Sequence, residues 1–540
     1  MNIQNKTLFM LATAAMAAAN ISAQNVVDAV RYGQSSISGT ARYRSMAGAF
    51  GALGGDPTVM NDNPAGLAIY RGTNVVTLTP HMAFTGTESK GSEAASSSDS
   101  NFGVSNLAAL FSFHNPTSDH LVNFNVGIGL NRQYENQSKL RTVVDAPSQG
   151  SFGNYLVNQA NHYLNGQLSP SSAFDWDNNY TTAPYMSMMA YDIYAFVDDP
   201  NNKHAVMDPM QGYVPYQRLY KREKTRSDLY NIAAALNVDD IFYAGVTLNI
   251  ADYSSVITSE FDEDYSHDYD GSYISYDNKF ETKGSGVGVN LGVMWSPLDN
   301  WRLGAAVHTP LWLTVTESYE GAMITDDDRV TDWSSFYDGW KYEFSTPWEY
   351  QVSTAFILGN RGLLSLEYDL RDFTSMRYRT NSQYPLPDDY FHNVNAAIKD
   401  YTLLQHTMKV GAEMRLTQQL SLRAGYAYVT SPYKESARGG SISSGDADLD
   451  HYDEDVTSLS DLQDYVYNST TKPDYQTLRN QYYVTCGLGW SARQWYVDAA
   501  YMYHHSRLCV SSYPNSYSTC TPVEVGMSKS DIDITLGYRF

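Results

Sequence analysis

Three cysteines in 540 residues are too few for a disulfide scaffold, and no two stand at the close spacing of a zinc site. Cys486 sits among apolar neighbours in a strand pattern, whereas Cys509 and Cys520 share a polar Tyr/Ser-rich segment in which a loop disulfide stays open. Positive charge is also scarce. Lys and Arg number 36 against 59 Asp and Glu, so the formal charge of −23 speaks against nucleic acid and disfavours a lipid-phosphate surface. Long apolar runs are missing too: beyond the N-terminus no segment reaches the ~18 uninterrupted apolar residues that a transmembrane helix needs. An inner-membrane helix bundle is thereby excluded. With 43% hydrophobic and only 18% charged residues, the chain is nevertheless too apolar for disorder and too long for one ordinary globular domain.

Tyrosine is abundant instead. Its 44 copies exceed Phe (19) and Trp (9) combined, a bias toward a ring that is apolar at one end and wet at the other, as strands crossing a membrane interface require. The first residues read as a secretory signal over 1–23: polar Asn2–Lys6 with one cation, apolar Thr7–Ala19, then the small residues Ser22-Ala23 before Gln24. An exported chain without a helical span is either soluble or a β-barrel, because only helices and closed barrels satisfy their backbone in lipid.

From residue 73 onward the dominant signal is period-two alternation in runs of about ten residues or more, the length of a tilted membrane strand. Fourteen runs are expected, at 73–84, 103–114, 120–133, 227–238, 241–258, 282–295, 300–317, 347–359, 362–376, 403–416, 420–431, 480–491, 494–506 and 530–540. Val122/Phe124/Val126/Ile128/Leu130 and Met408/Val410/Ala412/Met414/Leu416 exemplify the outward faces, with Asn, Gly, Glu, Asp, Lys and Arg interleaved. Short connections such as 296–299 and 360–361 alternate with long ones, the longest being 134–226 and 432–479, a pattern that soluble sandwiches lack. The fold class is an all-β transmembrane antiparallel β-barrel of about fourteen strands over 73–540. Its first and last connections are both long, which puts both termini on the periplasmic side. Fourteen strands enclose more space than wall side chains can fill. Residues 24–72, rich in Gly and Ala and without alternation, are long enough to fold inward as a plug.

That segment carries a resemblance. Ser38-Gly39-Thr40-Ala41-Arg42, Met46-Ala47-Gly48-Ala49-Phe50, Ala52-Leu53-Gly54-Gly55-Asp56 and Asn63-Pro64-Ala65-Gly66-Leu67 resemble the hatch of the FadL/TodX family of outer-membrane hydrophobic-compound transporters. The resemblance implies a hatch inside a fourteen-stranded barrel in the outer membrane of a Gram-negative bacterium. It further implies passive uptake of hydrophobic small molecules, such as long-chain fatty acids or similar amphiphiles, with no cofactor and no catalysis. Surrounding lipid, lipopolysaccharide included, is the other expected partner, and the barrel is expected to be monomeric. By residue type, Asn63-Pro64-Ala65-Gly66 is a turn former, with Pro fixing φ and Gly permitting positive φ. Gly39, Arg42, Asn63, Pro64, Ala65 and Gly66 are thus the hatch candidates, with Arg42 expected to meet a lumen acid such as Glu367, Asp369 or Glu413. Two other readings stay open: a hatch-bearing barrel serving secretion or surface lipopolysaccharide, and a general porin.

Remaining motifs are weaker. Gly284, Gly286, Gly288 and Gly292 resemble a phosphate loop, but apolar residues alternate through them and no helix follows, so they are expected to leave lumen space for the hatch or a ligand. Acidic clusters stand at Glu260–Asp270 and Asp446–Asp455, and the alternate Asp446, Asp448 and Asp450 of the second lack the glycine and closing glutamate of a calcium loop. His504 and His505, adjacent on a strand, point to opposite faces and cannot converge on one metal. No nucleophile elbow or zinc-protease helix occurs. In the longest loop Phe152, Tyr155, Leu156, Tyr163 and Leu164 fall near helical spacing. Tyr185, Met186, Met188, Met189, Tyr191, Tyr194 and Phe196 form a dense apolar run that either packs the loop on itself or captures greasy ligands.

Overall fold

A computed structural model describes residues 25–114, 120–145, 150–175, 184–210, 215–265, 273–325, 330–332, 337–381, 391–439, 474–513, 518 and 520–540. The signal segment 1–23 and the acidic stretch Asp446–Asp455 lie outside the described residues. Fourteen antiparallel strands close into a barrel. They are β1 (Val75–Lys90), β2 (Ala94–His114), β3 (Leu121–Val144), β4 (Tyr216–Val238), β5 (Phe242–Asp264) and β6 (Tyr273–Leu298). β7 (Trp301–His308 and Trp312–Thr325), β8 (Val330–Asp332, Tyr337–Ser345 and Trp348–Ile357) and β9 (Gly362–Asp372 and Arg377–Thr380) are interrupted. β10 (Leu404–Arg415), β11 (Leu420–Val429), β12 (Tyr475–Ala492), β13 (Trp495–Ser511) and β14 (Val523–Arg539) complete the wall, and β14 pairs with β1 from Arg539–Val75 to Glu524–Lys90.

All fourteen runs read from the sequence are strands, but several continue well past the expected end on the side of the long connections. β3 runs on to Val144 and β4 begins at Tyr216, so the longest connection is shorter than expected. Alternation marks a strand only where one face meets lipid. Above that zone the outward face is polar, while the inward face buries Leu219, Ile257, Phe261, Phe280 and Val315 among polar neighbours, so the lipid-facing period ends while the backbone pairing goes on.

The outward faces form an apolar belt. Ile232 and Leu236 on β4, Val246, Leu248 and Ile250 on β5, Leu291 and Val293 on β6, and Ile532, Ile534 and Leu536 on β14 are all exposed. Such a surface is unstable in water and stable in lipid. At the short-turn end the belt finishes in an aromatic rim, where Phe242 stacks on Trp295, Trp301 on Phe356, and Trp495 lies 4.7 Å from Tyr538. Tyr230, Trp312, Tyr350 and Tyr501 stand near the opposite edge. No helix among the described residues is long and apolar enough to cross a membrane.

At the long-connection end, α3 (Phe152–Leu164), capped by the Ser151 hydroxyl, and α4 (Tyr185–Asp192) pack together over the barrel mouth. α5 (His392–Tyr401) covers the free edge of β9, where Asn395 binds both backbone groups of Tyr378 at 2.8 and 3.0 Å. The N-terminal segment carries α1 (Val26–Tyr32), α2 (Ala41–Ser45) and two short 3-10 turns, Pro57–Met60 and Pro64–Ile69. Asn25 begins beside Tyr378, whose hydroxyl donates to its carbonyl at 3.1 Å, near the long-connection end. Asn74 pairs with Phe540 at the opposite end. Between them the segment touches inward-facing residues on nearly every side of the wall, which only a path down the lumen allows.

Candidate functional site

An irregular segment buried inside a barrel must find partners for its backbone groups, and here polar wall residues supply them. Asn125 donates to Leu67 O at 2.6 Å, Asn123 to Ala68 O at 3.1 Å, Arg302 to Leu53 O at 2.9 Å, and Glu367 accepts from Gly51 N at 2.6 Å. Thr535 on β14 accepts from Ala41 N, and Thr485 on β12 donates to Ser45 O.

The turn Asn63-Pro64-Ala65-Gly66 is the best-defined part. The Asn63 side chain accepts from Ala65 N at 3.2 Å and donates to Gly51 O at 2.7 Å and to Val293 O in the wall at 3.1 Å. Pro64 takes the first position of the 3-10 turn, where a missing N–H costs nothing. Gly66 is required for closeness rather than for positive φ: a Cβ there would stand 2.8 Å from Gly54 Cα. The wall has been thinned to match. A Cβ on Gly245 would lie 2.4 Å from the Pro64 carbonyl carbon, and one on Gly292 2.0 Å from Asn63 Oδ1. Gly292 therefore makes room for the segment as expected, whereas the space beside Gly286 and Gly288 is taken by β7 around Pro310–Trp312. Gly39 (φ +151°) lies against Thr58, where a Cβ would come within 2.2 Å of Cγ2.

Charges hold the segment to the wall. Arg42 meets Glu413 at 3.1 Å, one of its three expected partners, and donates to Gly55 O at 2.9 Å. Arg44 binds Asp531 at 2.7 Å and Asp533 at 2.5 Å. Lys409 spans Glu367 and Asp369, at 2.7 Å each. Gln351 donates to Asp62 at 2.5 Å, and His308 Nε2 lies 2.7 Å from the Asp62 carbonyl. Burial, with Asp369 nearby, outweighs the Lys409 ammonium and pushes the Asp62 carboxyl up to about 7. Sequence reading missed Arg44, although two acids on the lumen face of the cleanest strand already called for a cation.

Between α1 and the wall lies a cavity of about 220 Å³, part of it continuous with solvent. Its lining mixes apolar Val27, Leu140, Leu229 and Leu508 with charged groups, chiefly in pairs. Lys221 meets Asp474 at 2.5 Å and Arg371 meets Glu349. Arg31 pairs with Asp28 and stands 3.7 Å from Glu223, and its buried Nη2 has no hydrogen-bond partner among the described residues.

Beside this cavity the wall parts. β2 and β3 pair only from His114–Asn123 to Asn106–Asn131. Above that level β2 stays with β1 and β3 with β4, and a bulge at Gln133 turns β3 away. The bulge carbonyl accepts from Ser36 N at 2.9 Å, so the segment abuts the parting. Gln133, Tyr134, Glu135 and Asn136 line the cavity, while Phe102, 70% exposed, faces outward across the gap. Hydropathy holds no signal for such a parting.

The loop residues singled out from the sequence are not an open surface. Met186, Met188, Met189 and Phe196 are buried and Tyr191 is partly covered, within an apolar cluster that also contains α3 residues Phe152, Leu156 and Tyr163 and reaches Val26 and Val30 of α1. Only Tyr194 stands 63% exposed, and the Tyr185 side chain lies outside the described residues. A continuous apolar run is more stable packed than wet, and α3 supplies the partner. His504 stacks on Tyr483 at 4.2 Å, while His505 bonds Ser528. Among the described residues no group of His, Cys, Asp and Glu could hold a metal.

No family profile matches the sequence, and no curated protein does either. Solved structures do match. A Pseudomonas aeruginosa FadL homologue is 12% identical over 94% of this chain and 99% of its own, with a TM-score of 0.54. The P. putida toluene transporter TodX is 12% identical over 93% and 99%, with a TM-score of 0.50. The likeness is one of fold, spanning nearly the whole of each chain.

Proposed function

We propose that this chain is an outer-membrane transporter for passive uptake of hydrophobic small molecules, with residues 24–72 as its hatch. The parting of β2 from β3 carries the reading: it brings the lumen cavity beside the wall at the level of Met82 and Phe102, within the lipid belt. A greasy solute leaving there enters the bilayer sideways and never crosses the polar lower lumen. The fold shared with a protein described as a toluene transporter supports the same class of cargo. The charged cavity lining, with Arg31 Nη2 unsatisfied, suits an amphiphile with a polar head, such as a long-chain fatty acid, better than a plain hydrocarbon. Entry runs through the cap of α3 and α4, whose Met-rich interior adapts to varied shapes. The long-connection end faces outward and the C-terminus faces the periplasm.

The experiment is uptake of a labelled long-chain fatty acid into cells lacking their own transporter. A double cysteine variant, Asn101→Cys with Glu135→Cys, is oxidised to tie β2 to β3. Uptake should fall on oxidation and return on reduction. Equal uptake in both states with a cross-link proven by mass spectrometry refutes the sideways route, and no uptake by wild type refutes the transport reading.

A further inference from the structure

The whole-chain charge of −23 hides a local reversal just above the lipid belt. On the outward face of β4 the belt ends at Ile232 and Tyr230, and Asp228 follows, covered by Arg132 at 3.0 Å and Arg226 at 2.8 Å. Next on the same face come Arg226, Lys224 and Arg222. Alternate strand residues repeat at roughly 6.7 Å, so the three stand in a row over the height where a bilayer's headgroups begin. Across the pairing to β3, Lys139 lies opposite Arg222 and Arg141 opposite Tyr220. On the other side, the β5 residues opposite Arg226, Lys224 and Arg222 are Ser254, Val256 and Thr258, none of them acidic. Asp99, 3.9 Å from Lys139 and 4.0 Å from Arg222, is shared between two cations. Lys224 and Arg141 are exposed, with no carboxylate within salt-bridge distance among the described residues. Around the barrel on β12–β14, the outward positions just above the belt are Asn480, Tyr482, Tyr503, His505, Ser528 and Ser530, and higher up the exposed Arg507 is accompanied by Glu524, which Arg479 meets at 3.1 Å, so no comparable row of cations forms there.

We propose that Lys139, Arg141, Arg222 and Lys224 form a docking strip for the phosphate groups of a glycolipid in the leaflet around the long-connection end. Continuity with the belt selects a lipid. Whatever fills the strip stands directly above the lipid-facing Tyr230 and Ile232 of β4 and Ile250 of the adjoining β5, and a lipid-borne phosphate is already held at that depth. The proposal rests on the outward orientation given above. Its test needs no transport substrate, so the two readings fail separately.

The full chain in detergent micelles is titrated with bisphosphorylated lipid A, with the same lipid dephosphorylated, and with bisphosphorylated lipid A in the presence of millimolar inorganic phosphate. Wild type should bind the phosphorylated lipid at least about tenfold more tightly than the dephosphorylated one. Inorganic phosphate should compete weakly. The combined variant Lys139→Gln, Arg141→Gln, Arg222→Gln and Lys224→Gln should lose the preference while its unheated gel mobility still reports a closed barrel. Equal binding of the two lipids by wild type overturns the proposal whether or not the variant folds. So does a preference that survives the four replacements, or full displacement by inorganic phosphate, which marks a soluble-anion site.

Discussion

Asp62 shows how one buried carboxyl couples the lumen segment to pH. Its folded pKa of about 7 lies above the ordinary value near ~4, so the folded chain holds a proton that the unfolded chain releases. The stabilisation is full below about pH 4 and is lost as pH rises through about 7. Hydrogen exchange around residues 61–66 should therefore quicken between pH 5 and pH 8 beyond the intrinsic rise, and Asp62→Asn, which keeps an acceptor for Gln351, should remove that excess. Identical excess slopes in the two proteins would contradict the assignment. Arg44 acts differently, because it is the shared partner of two buried acids. Replacing it with Ala leaves Asp531 with Lys529 at 3.8 Å and Asp533 with the Ser105 hydroxyl at 3.4 Å, at a cost of about 3 kcal/mol. Thermal unfolding followed by gel mobility should show the loss, and much less of it for the more exposed Arg42→Ala. That Arg42 would meet a wall acid was legible, because a buried cation needs one. Which acid it meets is set by barrel register, which no local pattern carries.

Elements answer to space as well as charge. β5 and β6 tolerate small residues at Gly245 and Gly292 only because Asn63 and Pro64 press against them. Gly245→Ala and Gly292→Ala should leave strand pairing intact and push the turn off the wall, raising single-channel conductance in planar bilayers. Unchanged conductance in both variants would mean that the segment is not what closes the lumen. At the mouth, the buried Met188 and Met189 pack α4 onto α3 and the top of β7. Each Met→Ala change there should cost about 2–5 kcal/mol locally. Limited proteolysis should then cut within 145–215 at protease levels that spare the wild type, while the barrel fragment persists. The helical spacing of Phe152 to Leu164 announced α3 correctly. The sequence left the Met-rich run between packing and ligand capture because periodicity does not say which element covers a face.

At the scale of the whole molecule, the proposed orientation, with the long connections outward, can be tested directly. An epitope inserted at Asn201, in a turn of the longest connection, should be reached by antibody on intact cells, whereas one at Asn360, in the short turn between β8 and β9, should be reached only after the outer membrane is breached. The reverse pattern would invert the barrel and move the cationic strip to the inner leaflet.

Strand number, strand order and the outward faces were fixed by composition and period alone, since lipid demands an apolar residue at every second position and a closed barrel leaves no other arrangement of consecutive hairpins. The N-terminal segment was legible as one that lacks the period. The tertiary structure alone decided where β2 leaves β3, which wall acid each arginine meets, that the loop methionines face inward, and that scattered cations align above the belt. Each of these depends on register and closure, which bring together residues hundreds of positions apart, as with Arg44 and Asp531.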